Sequence, residues 1–440
     1  MTTDNIKARL SASLDISTLL PMQTEMGKIR LPAKVLLCAP TGSGKTVAFI
    51  IALLRSLKAP GNGIQAAIIA PTRELALQIF EVVRPLAAPE YKSVALYGGH
   101  SFESESRSLE GAPDIVVGTP GRMLDHIRRG RLSLYDVRAF VIDEYDKALE
   151  LGFHEEMKAL AGRMRKADTM ILTSATKGEI PDFIGSVERT LDYSSCGLAA
   201  KPEIDIFEVT SPTADKLETL AALLKQLPPG RQIVFLNHRD AAERVYTYLN
   251  KLGFPVVLYH GGLEQQLRQR AIILFNNGSR PILISTDLAS RGLDICDVRA
   301  VIHYHLPGSE ETWTHRNGRT ARMEAEGSAY VIVSEHDKRL PFMDDLPLFT
   351  PSGEGSIPQA ATATLYINAG KKEKISKGDI AGYIINKGGL TASEVGRIDV
   401  LDHCSYVAVP ADKSRQTVVA LAPHKLKNTR VRVTQLKAED

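Results

Sequence analysis

The sequence lacks several features that mark other classes of protein. It has 4 cysteines in 440 residues, and they lie far apart without a CxxC pair: Cys38, Cys196, Cys296 and Cys404. This spacing excludes a zinc site of the usual local pattern and a disulfide-stapled secreted domain, and it fits a reducing cytoplasm. No segment has the ~18 consecutive apolar residues of a membrane span, and the first residues lack the apolar block of a secretory signal. We therefore expect a cytoplasmic protein with no membrane contact.

The net charge is also small: the sequence has 54 Lys and Arg residues and 51 Asp and Glu residues, which gives a formal charge of +3. The charge is unevenly spread, with +5 in residues 362–440 and −2 in residues 1–361. A basic terminal region on a near-neutral body indicates a polyanion-binding appendage, with a solvated basic surface as the alternative. Apolar residues make up 44% of the chain, so a disordered chain is excluded.

Short apolar runs alternate with amphipathic helical patterns in two long stretches. The runs are KVLLCAP (34–40), AAIIAPT (66–72), SVALYGG (93–99), DIVVGTP (114–120), AFVIDEY (139–145) and TMILTSAT (169–176), then RQIVFLN (231–237), PVVLYHG (255–261), RPILISTD (280–287), RAVIHYH (299–305) and GSAYVIV (327–333). Continuous apolar strands between helices predict parallel sheets covered on both faces. We predict two doubly wound α/β domains, over residues 1–200 and 205–340, with a polar hinge at 194–214.

The remaining chain changes character twice. Residues 341–363 are rich in Pro, Gly and Ser without a period, which predicts a linker. Residues 364–438 then show the order of a small βαββαβ sheet, with a helix opening at Ser376 and Asp379 in capping-box spacing. Many RNA-recognition modules use this architecture.

Candidate RNA contacts in this terminal module are basic. They are Lys371 and Lys372 in one loop, and Arg430 and Arg432, which alternate on one face of the predicted last strand. Tyr366 falls on a central strand, as does Tyr406, and each either stacks on bases or packs in the core.

One Gly-rich segment has the pattern of a phosphate-binding loop. It reads APTGSGKT (39–46), follows the strand KVLLC and opens a helical pattern. Glycines let backbone N–H groups approach phosphate oxygens, Lys45 reaches the β- and γ-phosphates, and the Thr46 hydroxyl coordinates Mg²⁺. The predicted nucleotide contacts in the loop are Thr41, Gly42, Ser43, Gly44, Lys45 and Thr46.

Two acids at the end of the strand AFVI supply the second half of such a site. A strand-end Asp opposite a phosphate loop holds the metal, so Thr46 and Asp143 are the predicted Mg²⁺ ligands. Glu144 is in place to orient or deprotonate the attacking water. We therefore predict catalytic roles for Lys45, Asp143 and Glu144.

The second α/β stretch has no phosphate-binding loop, which predicts one nucleotide in the cleft between the two domains. Its segment HRNGRTAR (315–322) places three arginines three residues apart. On a helical turn, Arg319 and Arg322 could both point at the γ-phosphate and stabilise its charge during transfer. The alternative is a solvated basic helix.

These motifs and their order resemble the DEAD-box RNA helicases of superfamily 2 over about residues 20–335. The matching segments are Gln23 in LPMQ, APTGSGKT, PTREL (71–75), GG (98–99), TPGR (119–122), DEYD (143–146), SAT (174–176), IVF (233–235), HG (260–261) with Gln265 and Arg268, STD to RGLD (285–294) and HRNGRTAR. The resemblance implies two tandem RecA-like domains, ATP and Mg²⁺ as cofactors, and RNA-stimulated ATP hydrolysis that separates short RNA duplexes locally.

The resemblance also implies a role for each matching residue. Gln23 would recognise adenine, and Asp294 would contact the ribose. Coupling of hydrolysis to RNA would involve Asp146, Ser174, Thr176 and His315. One side of an RNA-backbone track would be formed by Pro71, Thr72, Arg73, Gly99, Thr119, Gly121 and Arg122. The other side would be formed by His260, Gly261, Gln265, Arg268, Thr286 and Asp287.

Residues 364–436 resemble the RNA-binding domain of DbpA-type DEAD-box proteins, in TLYINAGKKEKISKGDIAGYI, VGRIDVLDHCSYVAVP and LKNTRVRV. The resemblance implies that structured ribosomal RNA and pre-ribosomal particles are partners, and that the protein acts in large-subunit assembly. Three alternatives stay open: an ATP-gated RNA clamp without strand separation, a DNA helicase or translocase, and a terminal module that docks protein.

Two positions depart from the family pattern. Tyr145 stands where the family has Ala, so its ring either sits beside the phosphate site or turns into the sheet. Ile6 stands upstream of Gln23 where the family has an aromatic residue that stacks on adenine. These departures put the ATPase rate and the adenine affinity in question.

Overall fold

Three β-sheets form the framework of the described part of the chain. The computed structural model describes residues 1–436 except 41, 62, 176–178, 195–203, 288–294, 296–297, 321–326, 344 and 353. The chain divides into two units at residues 201–202. The first unit holds a seven-stranded sheet, and the second holds a six-stranded sheet and a four-stranded sheet. The described helices include none that is both long and apolar enough to span a membrane.

In the first unit the strands and helices alternate as the apolar runs predict. They are α1 (Thr3–Leu14), α2 (Pro21–Lys28), β1 (Lys34–Cys38), α3 (Lys45–Ser56), β2 (Ala66–Ile69), α4 (Arg73–Ala87), β3 (Ser93–Leu96), α5 (Phe102–Glu110), β4 (Ile115–Gly118), α6 (Pro120–Arg128), β5 (Ala139–Ile142), α7 (Tyr145–Glu150), α8 (His154–Ala161), β6 (Thr169–Ser174) and β7 (Arg189–Asp192). The sheet order is β3-β4-β2-β5-β6-β1-β7, and every pair is parallel.

Both faces of this sheet are buried, which is why its strands are continuously apolar. On β1, Val35 and Leu37 point into one core, whereas Leu36 and Cys38 point into the core on the opposite face. Tyr145 belongs to this second core and is fully buried, so its ring packs against the sheet.

The second unit begins with another parallel sheet and continues into the terminal module. Its elements are β8 (Ile204–Thr210), α9 (Leu217–Gln226), β9 (Arg231–Leu236), α10 (Arg239–Lys251), β10 (Val256–Tyr259), α11 (Gln265–Asn276), β11 (Ile282–Thr286), β12 (Val298–His303), α12 (Glu310–Asn317), β13 (Gly327–Val333), β14 (Thr362–Ile367), α13 (Lys377–Gly388), β15 (Ile398–Val400), β16 (Ser405–Pro410), α14 (Ser414–Leu421) and β17 (Val433–Gln435). The parallel sheet has the order β10-β11-β9-β12-β13-β8, and the antiparallel sheet has the order β15-β16-β14-β17.

Two segments differ from the sequence-based expectation. Strand β8 lies inside the predicted hinge at 194–214 and pairs with β13 along its whole length. Its alternating polar residues have the composition of a loop because an edge strand is only half covered. The predicted linker at 341–363 contains ordered packing: Phe349 joins the core of the second sheet, and its N–H donates to the Glu208 carbonyl at 2.7 Å.

The terminal module has the predicted βαββαβ order. Ser376 and Asp379 form the expected capping box at the start of α13. The last strand is shorter than expected, and Arg430 and Arg432 precede it, so they do not alternate along a strand face. Hydrogen bonding of the Asn368 side chain to the Arg432 N–H, at 2.6 Å, holds that irregular segment beside the end of β14.

Candidate functional site

The phosphate-binding loop connects the end of β1 to the start of α3. Gly44 has φ +89°, and an added Cβ would lie 2.6 Å from Gln23 Nε2, so this position requires glycine. Lys45 is buried, and its Nζ donates to the carbonyl oxygens of Ala39 and Pro40. Burial lowers the pKa of the Lys45 ammonium, although Asp143 opposes this shift. Thr41 lies outside the described residues; Gly42 and Ser43 are in the turn itself.

Gln23 joins the amino-terminal helices to this loop. Its Oε1 accepts from the Leu20 N–H at 3.0 Å, and its Nε2 donates to the Gly44 carbonyl at 3.2 Å. The predicted adenine contact therefore lies directly beside the loop. Ile6 is fully buried in the core beneath α1.

The acidic motif follows β5, two strands away from β1. The Thr173 hydroxyl donates to the buried Asp143 carboxylate and accepts from the Glu144 N–H at 3.0 Å. Burial, reinforced by the neighbouring Glu144, raises the pKa of Asp143. Glu144 has φ +51°, and its carboxylate lies 2.7 Å from the buried Lys147 ammonium.

This arrangement fits a hard divalent cation with a bound nucleotide. A buried carboxylate whose charged form is disfavoured gains from a cation, and Asp143 is such a group. Thr46, the second residue of α3, would supply a hydroxyl oxygen from the loop side. The residues present therefore suit Mg²⁺.

The predicted coupling residues are partly described. Ser174 is buried at the end of β6, and its carbonyl accepts from the Ala39 N–H at 3.1 Å, beside the phosphate loop. Both carboxylate oxygens of Asp146 are buried without a hydrogen-bond partner among the described residues. His315 lies in the last turn of α12, and Thr176 falls outside the described part.

The first half of the predicted RNA track lies on neighbouring strands. Strands β3, β4 and β2 are adjacent and parallel, so the segments that follow them share one edge of the sheet. These segments carry Pro71, Thr72, Arg73, Gly99, Thr119, Gly121 and Arg122. Thr72 caps α4 through its hydroxyl, and Thr119 precedes Pro120 at the start of α6. Space for the Arg73 guanidinium exists because residue 98 is glycine.

The second half lies at the matching edge of the six-stranded sheet. His260, Gly261, Gln265, Arg268, Thr286 and Asp287 follow or end strands β10 and β11, which are neighbours. Burial lowers the pKa of His260, whose Nδ1 accepts from the Gly262 N–H at 3.1 Å. The Arg268 guanidinium donates to Gln265 Oε1 at 2.5 Å, across one turn of α11.

Asp287 already binds a basic residue of its own sheet, Arg316, for which the sequence predicts no role. Arg316 is 2% exposed and donates to both Asp287 oxygens at 2.5 and 2.6 Å. It also donates to Asn237 Oδ1 at 2.7 Å and to the His305 carbonyl at 2.6 Å. The sequence shows only an arginine three residues before Arg319, without any sign of its partners.

Arg319 lies in the turn that directly follows helix α12, and its N–H donates to the Arg316 carbonyl at 3.1 Å. Helix α12 ends at Asn317 with Gly318 as its cap, and Thr320 bridges to Val298. The Thr320 hydroxyl donates to the Val298 carbonyl at 2.6 Å, which draws the chain back to the sheet. Arg319 is buried in this turn, while Arg322 and Asp294 lie outside the described residues.

Several exposed basic residues of the terminal module lie in two segments that contact each other. Lys371 and Lys372 follow β14, and Arg430 and Arg432 precede β17, the strand that pairs with it. Lys427 Nζ donates to the Lys374 carbonyl at 2.8 Å and joins the two segments. We call Lys371, Lys372, Lys427, Arg430 and Arg432 the terminal basic cluster.

The sequence predicts that Tyr366 and Tyr406 either stack on bases or pack in the core of the module, and the structure places them between these two alternatives. Tyr366 and Tyr406 pair across β14 and β16 with ring centroids 5.6 Å apart, on the sheet face opposite the module's core. Thr364 on the same face is buried and contacts the Asn277 amide at 3.2 Å, in the turn after α11. Tyr406 is itself buried, so this face is partly covered by the parallel-sheet domain of the same unit.

Comparisons with known proteins decide the family. Residues 21–183 match the DEAD/DEAH box helicase model, residues 215–324 the helicase conserved C-terminal domain, and residues 364–435 the DbpA RNA binding domain. The chain is 35% identical over 413 residues to the ATP-dependent RNA helicase DbpA of Escherichia coli, covering 91% of this chain and 90% of that protein. The DbpA helicase of Bacillus subtilis is 32% identical over 440 residues, covering 90% and 89%.

The chain belongs to the DEAD-box family of ATP-dependent RNA helicases. Its fold agrees with solved members: S. cerevisiae Dbp5 bound to RNA and ADP BeF3 superposes with a TM-score of 0.66 at 27% identity, covering 76% of this chain and 88% of that one. Mss116p bound to ssRNA and AMP-PNP gives 0.65 at 25% identity, covering 76% and 75%. The expected RecA-like domains, the RNA-stimulated ATPase class and the DbpA-type RNA-binding domain are thereby confirmed.

Proposed function

We propose that this helicase separates short RNA duplexes locally while its terminal module holds it on structured ribosomal RNA during large-subunit assembly. The observation that carries the proposal is that two sets of functional loops lie along one edge of the seven-stranded sheet. Loops after β3, β4 and β2 carry the RNA-track residues, and loops after β5, β6 and β1 carry the nucleotide residues. The two sets of loops belong to one sheet, so a change of conformation in one set can be transmitted to the other. The scattered thiols favour a cytoplasmic setting.

The nucleotide residues divide the chemistry among them. Thr46 and Asp143 would hold Mg²⁺, which neutralises phosphate charge when bound. Lys45 binds the phosphates, and Glu144 orients the attacking water, held in place by its contact with Lys147. Arg319 is proposed to stabilise the negative charge of the γ-phosphate.

The thirteen RNA-track residues include three glycines, which expose backbone N–H groups, and three arginines. Such groups contact phosphate and sugar, so binding by the two parallel-sheet domains is independent of sequence. Selectivity for structured RNA then falls to the terminal basic cluster. A tether of this kind raises the effective concentration of nearby duplex at the track.

Strand displacement tests the proposal directly. A labelled RNA duplex of about ten base pairs, flanked by a structured RNA, is incubated with the full chain and ATP, and strand release is followed on a native gel. We expect release that requires ATP and fails for a DNA duplex of the same sequence. Hydrolysis without release would support the clamp instead.

The tether is tested by removing charge from the terminal basic cluster. Replacing Lys371, Lys372, Arg430 and Arg432 with Ala should weaken binding to structured RNA. The salt slope should fall by about 0.7 for each single-strand phosphate that these side chains no longer neutralise. A matched control removes Lys387 and Arg415, which are exposed on the helices of the same module. Unchanged affinity and slope in the four-site variant would favour a protein-docking module.

A further inference from the structure

One buried carboxylate lies behind the RNA-track residues of the first unit. The Glu105 side chain on α5 is 1% exposed. Its Oε1 accepts from the Tyr97 N–H at 3.0 Å. Its Oε2 accepts from Arg122 Nε at 2.7 Å and from His126 Nε2 at 2.7 Å. This single group therefore joins the segment after β3 to helix α6, which follows β4.

Arg122 is held on two further sides. Its Nη2 donates to the His100 carbonyl at 2.9 Å, and its guanidinium lies over the Phe102 ring, 5.1 Å from the centroid. Phe102 in turn stacks on His126, with centroids 4.2 Å apart and planes 10° from parallel. The Arg122 side chain is 16% exposed, so part of the guanidinium remains open to a ligand.

We propose that Glu105 is a positioning residue that fixes the Arg122 guanidinium, and the turn at Gly98 and Gly99, for the RNA backbone. The inference rests on the proposed RNA contact of Arg122. A free arginine side chain loses rotamer entropy when it binds phosphate, and prior fixing of the guanidinium removes much of that cost. Glu105 takes the Nε–H and the His100 carbonyl takes one Nη2–H, which leaves the other Nη2–H and the Nη1 N–H groups, 3.6 Å from the Asp125 carboxylate, for phosphate oxygens.

The chemistry of the contacts explains why a carboxylate is needed. The three groups that hydrogen-bond to Glu105 are donors, namely a backbone N–H, a guanidinium N–H and an imidazole N–H, and His100 Nδ1 lies 3.7 Å from its Oε1. A glutamine amide offers one acceptor oxygen and turns its NH₂ toward a donor on the other side. Glu105→Gln therefore breaks the contact with Arg122 or with Tyr97 and keeps the size of the side chain.

The test is the RNA dependence of ATP hydrolysis by the full chain, titrated with a single-stranded oligouridylate. For Glu105→Gln we expect the RNA concentration at half-maximal rate to rise about 10-fold, because a charge-assisted hydrogen bond is removed. The rate at saturating RNA and the KM for ATP should stay within about 2-fold, a split that general structural damage does not produce. Glu110→Gln, at the exposed end of the same helix, is the matched control and should behave as wild type.

A second variant leaves the buried carboxylate intact. Arg122→Lys keeps the charge but cannot reach Glu105 and the His100 carbonyl with one planar group. Positioning predicts that Arg122→Lys weakens RNA binding nearly as much as Arg122→Ala, and that adding Glu105→Gln to Arg122→Ala changes nothing more. The comparison of Arg122→Lys with Arg122→Ala decides the question even when Glu105→Gln does not fold.

Three results would overturn the inference. Wild-type RNA dependence in Glu105→Gln, or in Arg122→Lys while Arg122→Ala is impaired, shows that fixing the guanidinium is unimportant. Additive effects of the Glu105 and Arg122 changes show that they act separately. Wild-type RNA dependence in Arg122→Ala removes the RNA contact itself, and with it both this inference and that part of the proposed function.

Discussion

The two parallel sheets use charge differently at their carboxyl ends. In the first, burial disfavours the charged forms of both Lys45 and Asp143, since it lowers the pKa of the lysine and raises the pKa of the aspartate. In the second, the buried Arg316 has a bidentate carboxylate partner in Asp287 and two further acceptors. At the first edge burial disfavours the charged forms of two ligand-binding candidates, whereas at the second edge the buried arginine is paired with a carboxylate of its own sheet.

This contrast separates two kinds of buried ionisable group. A group held against its charged form is stabilised by a ligand of opposite charge and marks a binding site. A group that is fully paired contributes to the structure, and removing its partner leaves an uncompensated charge. Substitutions at the first edge should therefore affect turnover, and those at the second edge should affect stability.

The largest expected effect is on turnover in Lys45→Ala. Loss of the phosphate contact should reduce RNA-stimulated ATP hydrolysis by about 10³-fold, the scale on which a transition-state charge contact acts. The free energy of unfolding should change by no more than about 1 kcal/mol, because burial already disfavours this ammonium. Phosphate release and a denaturant titration measure the two quantities. A large loss of stability would show that Lys45 belongs with Arg316 as a structural charge.

Glu144→Gln should give the next largest effect. Removing a general base lowers turnover by about 10²-fold or more, while the affinity for ATP stays unchanged. The variant should therefore accumulate as an ATP-bound complex on RNA, detected by slowed RNA dissociation in the presence of ATP. Glu150→Gln, at the exposed end of helix α7, which begins directly after Glu144, serves as the control. Normal hydrolysis by Glu144→Gln would contradict its assignment as base.

Asp287→Ala tests the opposite edge. It leaves Arg316 buried with two neutral acceptors, and it should lower the free energy of unfolding by about 2–3 kcal/mol. This is at the low end for a broken buried pair, since Asp287 is 22% exposed. Removing the exposed partner in Asp136→Ala, which pairs with Lys166, should cost less than about 1 kcal/mol. Equal small effects in urea titrations would mean that the Arg316 pair is not structural.

The sequence predicted most of the fold because its main signal is local. Continuous apolar runs located the buried strands, and Gly44 and Lys45 indicated the loop between β1 and α3. The sequence did not predict strand β8, because an edge strand such as this one, with Asp205 and Glu208, has the polarity of a loop. Its identity depends on pairing with β13, more than 100 residues away.

Partners at the site were less predictable than motifs. The bond between Asp287 and Arg316 links residues 29 positions apart, and that between Glu105 and Arg122 links residues 17 apart. Neither spacing belongs to one helix or strand, so no periodicity reveals it. Tyr145 shows the same limit: the sequence left two orientations open, and only the packing of the second core selects one.

The smallest expected effect concerns the pH dependence of stability at the second edge. His303 is fully buried between Trp313 and Arg316, and the centroids of the His303 and Trp313 rings are 4.7 Å apart. Its Nε2 donates to Asn317 Oδ1 at 2.8 Å. Burial, and then the charge of Arg316, lowers its pKa to about 3. The folded imidazole therefore stays neutral while the unfolded one takes up a proton near pH 6.5, so the unfolded state binds more protons between these values.

Stability should accordingly fall as the pH is lowered through 6.5, and His303 should account for about 1–2 kcal/mol of the loss between pH 7 and pH 5. His303→Gln keeps a donor for Asn317 and does not titrate, so the slope of unfolding free energy against pH should flatten over this range. His336→Gln, at an exposed position, should leave the slope unchanged. An unaltered slope in His303→Gln would mean that the folded histidine takes up a proton over the same pH range as the unfolded one, so that burial beside Arg316 does not keep it neutral.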